Sequence, residues 1–224
     1  MAASMTKLTP SSLRFAAAAA LPLALALSAC GDDDAVESAP GTEQAQAAGP
    51  QFGGEVDSSP EAIAAAQAQA KEIAGGDAQW RPAPEARVAS GDLPADSILN
   101  QALAGANTGD SQADCASAAE FGNEWASRLP ETFPIYPGAA VTEAAGTDAG
   151  GCNLRVVNFM TAVPKAEVMN FYHTLAANEG YSTQRVSAGG EDTLGGSMAG
   201  SQFVVVGRDR AGGGADFDLI VSGS

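Results

Sequence analysis

The spacing of apolar and polar positions changes several times along the chain, and each change marks an element. Phe15 to Leu27 is an apolar run rich in Ala and Leu, followed from Gly31 to about Ser58 by a stretch of Ala, Gly, Gln, Ser and acids with few large apolar residues. That second composition cannot repay the entropy of ordering and reads as a tether. Ser59-Pro60-Glu61 then starts a helix, with Ser as cap, Pro in the first helical position and an acid in the first turn, and Gly75-Gly76 ends it. Its apolar content is mostly Ala with Ile63 and Ile73, which predicts a marginal helix, exposed or docked on a partner. Residues 77–110 mix Pro, Gly and Asp around Trp80, with a short helix near Ser97 to Ala104. The whole of 59–109 reads as a linker with weak helices.

Residues 110–224 carry the denser pattern of a folded domain, within the usual size for one. Phe121, Trp125 and Leu129, four apart, predict a helix from about Cys115 to Leu129 that stops at Pro130. Pro130, Pro134 and Pro137 fit neither helix nor inner strand and predict an extended surface segment. Strands are expected at Ala139 to Ala144 and Cys152 to Thr161, joined by the turn-rich run from Gly146 to Gly151. A helix opens at Pro164 and closes at Gly180-Tyr181 in the order of a left-handed cap. On a helical wheel Val168, Met169, Phe171, Tyr172, Leu175 and Ala176 fill one arc, with Glu167, Asn170, Thr174 and Asn178 opposite.

Three further strands are read at Tyr181 to Ser187, Gln202 to Gly207 and Ala215 to Ser222, separated by Gly-rich turns. Phe203-Val204-Val205-Val206 is apolar on both faces, so its strand should be central and covered on both sides. These elements predict an α+β fold: an antiparallel sheet of about five strands in the order β-β-α-β-β-β, with one main helix on one face.

The N-terminal run has the layout of an export signal, with Lys7 and Arg14 before the apolar stretch and small residues after it. It is shorter than the roughly 20 residues a membrane span requires. The run ends in Leu27-Ser28-Ala29-Cys30, a tetrapeptide that resembles the lipobox of bacterial lipoproteins. On that reading residues 1–29 are a lipoprotein signal peptide; the alternative is an ordinary signal peptide cut near an A-x-A site, with Cys30 unmodified. The resemblance implies a diacylglycerol on the Cys30 thiol and an acylated new N-terminus, palmitate being the usual chain. With roughly 0.8 kcal/mol per buried methylene, two or three chains make such an anchor effectively permanent. Gly31 stands where Asp would favour the inner membrane, so the resemblance points to the outer membrane, facing the periplasm.

Assigning Cys30 to lipid leaves Cys115 and Cys152 as a pair for a disulfide in an oxidising compartment. That bond ties the N-terminal helix to the sheet and could bring the Trp125 helix onto the second face. Signal cleavage removes two of the 11 basic residues, Lys7 and Arg14, leaving 9 against 27 acidic ones, a formal charge of −18. Phosphate backbones and anionic lipid head groups are repelled by such a chain, which argues against nucleic acid as a partner. Cations, basic proteins and neutral ligands stay open.

Leu129-Pro130, Tyr136-Pro137-Gly138-Ala139, Phe159, the helix with Phe171-Tyr172, and Gly180-Tyr181 together resemble a small domain of unassigned function in exported bacterial proteins and lipoproteins. These motifs mark a fold, not a chemistry, and imply α+β architecture without an activity.

Candidate chemistry is sparse. His173, the only histidine, falls at the polar edge of the helix arc with no Ser or Cys nucleophile and no orienting carboxylate identifiable around it, which fits a boundary histidine better than a general base. Asp216 and Asp218 share a strand face and with Asp209 could face a hard cation. Ca²⁺ wants six to eight oxygens, so a solvated strand face is the simpler reading. Gly189, Gly190, Gly195, Gly196 and Gly200 do not match a phosphate-binding spacing and read as turns or a mobile loop. Asp32 to Asp34 read as solvated tether. The expectation is therefore no catalytic residue, no metal site and no cofactor. The function expected is a lipid-anchored envelope protein presenting a binding or scaffold domain, with an envelope protein as partner. The alternatives are an envelope hydrolase using His173 with nearby acids, and an accessory subunit of an envelope complex.

Overall fold

The six long strands of the domain pair antiparallel, and three two-residue strands complete a nine-stranded sheet. The computed structural model describes residues 50–88 and 112–223. Cys30, the signal segment, the tether with Asp32 to Asp34 and the short helix read near Ser97 to Ala104 lie outside the described residues. In chain order the elements are β1 (Gln51–Phe52), α1 (Pro60–Ile73), β2 (Arg87–Val88), α2 (Gln112–Ser117), β3 (Glu120–Phe121), a 3-10 turn (Asn123–Arg128), β4 (Ala140–Thr147) and β5 (Leu154–Thr161). Then come α3 (Lys165–Glu179), β6 (Ser182–Ala188), β7 (Glu191–Met198), β8 (Ser201–Asp209) and β9 (Ala215–Ser222). The strand order is β1-β4-β5-β9-β8-β7-β6-β2, with β3 also on β4.

The fold is α+β, but the sheet of nine strands replaces the expected five, for two physical reasons. Residues 191–198, read as turn or loop because of their glycines, form β7. There the Phe203 ring lies over Gly196, where a Cβ would come within 2.7 Å of it, so the glycine is a site of close approach inside a strand. The hairpin turns are Gly189-Gly190 and Ala199-Gly200, all four with positive φ, as two-residue hairpins between right-twisted strands favour. The other additions, β1, β2 and β3, are two residues each, too short for any periodicity to register. They cap open edges: β1 lies parallel along Ala140–Val141, β3 antiparallel along Ala145–Gly146, and β2 parallel along Val186–Ser187.

The expected single helix from Cys115 to Leu129 is also corrected. It is split into α2, β3 and the 3-10 turn, because Gly122 is extended and its N–H bonds Ala144 O at 3.0 Å. Pairing with the β4 edge overrides the helical spacing, leaving Phe121 exposed and Trp125 buried. Trp125 does not reach the second face. It sits over Gly146, on the α3 side of the sheet. The Cys115–Cys152 disulfide is present and ties α2 to the start of β5.

α3 keeps the predicted arc. Val168, Met169, Phe171, Tyr172, Leu175 and Ala176 are buried, against a core that includes Phe203, Val205, Phe217 and Leu219. Each fully buried side chain of this size contributes about 1.5–3 kcal/mol. Gly180 adopts the left-handed cap and Tyr181 N–H bonds Ala176 O at 2.8 Å, while the Tyr181 ring meets Phe133 and Phe203 edge-on. The stripe opposite the arc holds residues 74–83. Asn170 Oδ1 accepts from Ala83 N–H at 2.8 Å, Thr174 Oγ1 accepts from Arg81 N–H at 3.0 Å, and Asn178 Nδ2 donates to Ala74 O at 3.0 Å. α1 lies beside this strip, with Ala66, Ala70 and Ala74 in the core; small side chains let it approach α3 closely.

Thr174 is fully buried: its Oγ1 accepts from Arg81 N–H, and its one proton faces both Asn170 O at 2.7 Å and Arg81 O at 3.1 Å. Replacing Thr174 with Val keeps its shape and strands those groups, so urea unfolding should show a loss of about 1–3 kcal/mol. No loss would mean that residues 80–83 are not held by this stripe.

Candidate functional site

The sequence-predicted candidates are dispersed. His173 is half-buried between α3 and β6, its Nδ1 3.1 Å from Thr183 Oγ1. Burial and the neighbouring Arg81 guanidinium both push its pKa down, so the ring is neutral at neutral pH. The Thr183 hydroxyl fixes the ring's orientation.

The three aspartates considered for a cation do not converge. Asp209 pairs with Lys165 at 2.8 Å, Asp216 with Arg210 at 3.3 Å and Asp218 with Arg208 at 2.7 Å. Asp218 also accepts from Asn158, and Arg208 bonds Glu191, which makes a polar ladder across β7, β8, β9 and β5. A carboxylate already matched by a guanidinium or ammonium offers little to a metal ion. Among the described residues no group of three His, Cys, Asp or Glu side chains is placed to hold one.

Sequence reasoning missed a charged knot at the start of α3. Arg185 donates to Asp192 at 2.5 Å, and Lys165 Nζ lies 3.6 Å from the same carboxylate and donates to Gly190 O at 3.3 Å. Burial raises the Asp192 pKa, but bonds from Arg185 and Ser187 and the charge of Lys165 outweigh it and hold the carboxylate below its ordinary range. Lys165 also holds Asp209 at the end of β8, so two cations and two carboxylates fasten the start of α3 to β6, β7 and β8. No sequence spacing signals it, because its members meet only through strand register and the helix start.

A second missed feature is cationic. Trp125 lies between Arg128 and Arg155, with guanidinium carbons 4.7 Å and 4.9 Å from the ring centre. Arg155 is buried and donates to Arg128 O, Thr147 O, Leu154 O and the Asp148 carboxylate, so it joins the 3-10 turn to the β4–β5 hairpin.

A groove of about 460 Å³ lies between α1 and the proline segment. Its walls are Ile73 of α1, Leu129-Pro130, and the turn Pro134 to Ala139. The proline segment is set by local bonds: Phe133 N–H to Pro130 O at 2.9 Å and Ala139 N–H to Tyr136 O at 3.1 Å, with Gly138 supplying φ +69°. Tyr172 Oη donates to Pro134 O at 3.0 Å, and Tyr136 packs edge-on against Phe171. Burial first, then the Glu167 carboxylate, raises the Tyr136 pKa well above its usual range, so the phenol stays neutral. Gln51, Gln69, Ser127 and Glu131 supply polar groups, and Ile73 is 43% exposed. The lining is thus apolar along its walls with polar groups at intervals. Comparison of the chain with family models, curated proteins and solved structures finds no match.

Proposed function

We propose that the chain is a lipid-anchored envelope lipoprotein, held at the outer membrane through Cys30 and facing the periplasm, whose α+β domain is a non-catalytic binding or scaffold module. The single observation that carries the binding role is a coincidence of position. Leu129-Pro130 and Tyr136-Pro137-Gly138-Ala139, which carry the resemblance to the exported domain, also line the 460 Å³ groove. The ligand this surface suits is an extended apolar segment of an envelope protein, flanked by basic residues. The apolar lining selects the middle of such a segment, and Glu131 with the chain's net acidity, formally −16, selects its flanks. The anchor rests on the lipobox-like Leu27-Ser28-Ala29-Cys30 and on the polar stretch after it.

Cell fractionation tests the anchor: Cys30→Ala should release the protein or misplace it, and unchanged membrane association would sink the anchor. Ile73→Asp tests the groove, since the side chain is already open to water and its loss leaves the core intact. In-cell cross-linking should lose the partner by about tenfold or more with Ile73→Asp and keep it with His173→Ala. The reverse pattern, with His173→Ala abolishing envelope function in a folded protein, would replace this reading with the hydrolase.

A further inference from the structure

We infer that the cleft at the end of the sheet beside Trp125 is a binding site for a monocarboxylate, with Arg128 as the residue that grips the carboxylate. β5 and β8 begin here and β9 ends here, Leu154 lying opposite Ser222 and Ser222 opposite Gln202. The cleft holds about 380 Å³, a size that suits a small organic molecule. Arg128, Arg155, Thr132, Asn153, Tyr181 and Val221 are among its walls. It is separate from the groove beside α1, since of the residues lining the two only Pro130 is shared. The lining contains two arginines and no carboxylate, in a chain with 27 acidic residues against 11 basic ones. Asp148 is the carboxylate paired with both arginines, 2.6 Å from Arg155 and 3.7 Å from Arg128. Two guanidinium groups therefore share one negative charge, and one positive charge is left over. In the other ion pairs among the described residues carboxylates match or outnumber their cations. Lys165 and Arg185 meet Asp192 and Asp209, Arg208 meets Glu191 and Asp218, Arg210 meets Asp216, and Lys71 meets Asp77.

The two arginines have different tasks. Arg155 spends its N–H groups on Arg128 O, Thr147 O, Leu154 O and Asp148, so it is fixed in place and supplies charge. The Arg128 side chain is 53% exposed, and its separation from Asp148 exceeds a hydrogen bond, so its donors stay available to a ligand. The Trp125 ring, 4.7 Å from the guanidinium carbon, holds that planar group and lowers the cost of ordering it on binding. A planar fork of donors matches a carboxylate through two parallel bonds. One surplus charge suits a monoanion, and the chain's formal −16 disfavours a doubly charged phosphate ester. Tyr181, Val221 and Pro130 present carbon surface in the same cleft, so the carboxylate should carry an apolar group. A free organic acid and the C-terminus of a peptide share that chemistry.

Titration of the full, disulfide-bonded chain, followed by NMR at the Trp125 indole N–H, tests the site. N-acetyl-L-phenylalanine should shift that signal, its amide should not, and phenyl phosphate should bind more weakly. Arg128→Gln should weaken N-acetyl-L-phenylalanine by about tenfold or more. Arg210→Gln removes the same charge beyond the far end of β8 and should leave binding unchanged. N-acetyl-Ala-Ala-Ala-Phe with a free carboxylate separates the two sources: tighter binding than the single residue identifies a peptide C-terminus, and equal or weaker binding a free organic acid. No shift with the acid, equal binding of acid and amide, phenyl phosphate binding as tightly as the acid, or equal losses in the two Arg variants would overturn the proposal. The comparison of acid with amide uses the unaltered chain, so it decides the matter even where Arg128→Gln fails to fold.

Discussion

Removing the Cys115–Cys152 bond by Cys152→Ala with Cys115→Ala should cost about 4 kcal/mol of stability. The bond closes a loop across a sequence separation of 37 residues, and the chain entropy withheld from the unfolded state at that length sets the magnitude. The loop contains β3, the 3-10 turn with Trp125, the proline segment and β4. The loss should therefore reach the groove, because Leu129, Pro130 and Pro134 to Ala139 all lie within it. Urea unfolding of the oxidised protein, the reduced protein and the double variant measures the effect. Equal midpoints for all three would show that packing alone holds the loop.

Trp125→Ala is expected to cost about 3–5 kcal/mol, the range for truncating a buried Trp or Phe. Its ring fills the space above Gly146, where a Cβ would come within 2.8 Å of it, so truncation leaves a void against bare backbone. It also removes the aromatic surface between Arg128 and Arg155. Trp125→Phe separates these contributions. The indole N–H has no hydrogen-bond partner among the described residues, so Phe loses ring area and cation–π contact without breaking a hydrogen bond. The Phe variant should fall between the wild type and the Ala variant. A Trp125→Ala loss below about 1 kcal/mol would contradict the packing role.

The parts of the fold legible in sequence are those with enough residues to repeat a pattern. α3 shows its buried arc over 15 residues and its stop at Gly180-Tyr181, and β9 matches the expected Ala215 to Ser222. β7 was hidden because two strand glycines look like turn glycines until the Phe203 ring is seen lying over one of them. The Cys115 to Leu129 helix failed for a related reason. Phe121, Trp125 and Leu129 have helical spacing, yet an unpaired β4 edge offers Glu120 and Phe121 a backbone partner that spacing cannot reveal.

The candidate site was legible only in fragments. The proline segment was expected at the surface, and it is one wall of the groove; the other wall, Ile73 of α1, belongs to a helix whose docking place the sequence left open. The stripe Asn170, Thr174 and Asn178 reads on a wheel only as the side opposite the apolar arc, because polar side chains that bind backbone look the same in sequence as those that bind water.

By itself, the sequence determined an α+β domain, one cysteine pair available for a disulfide, an acidic surface and the expectation of a lipid anchor at Cys30, since each follows from composition or from neighbours within a few residues. Only the tertiary structure decided the nine-strand order, the charge knot at Lys165, Arg185 and Asp192, and the groove between α1 and the proline run. These depend on contacts between residues dozens of positions apart, whose closeness is fixed by strand register and helix packing.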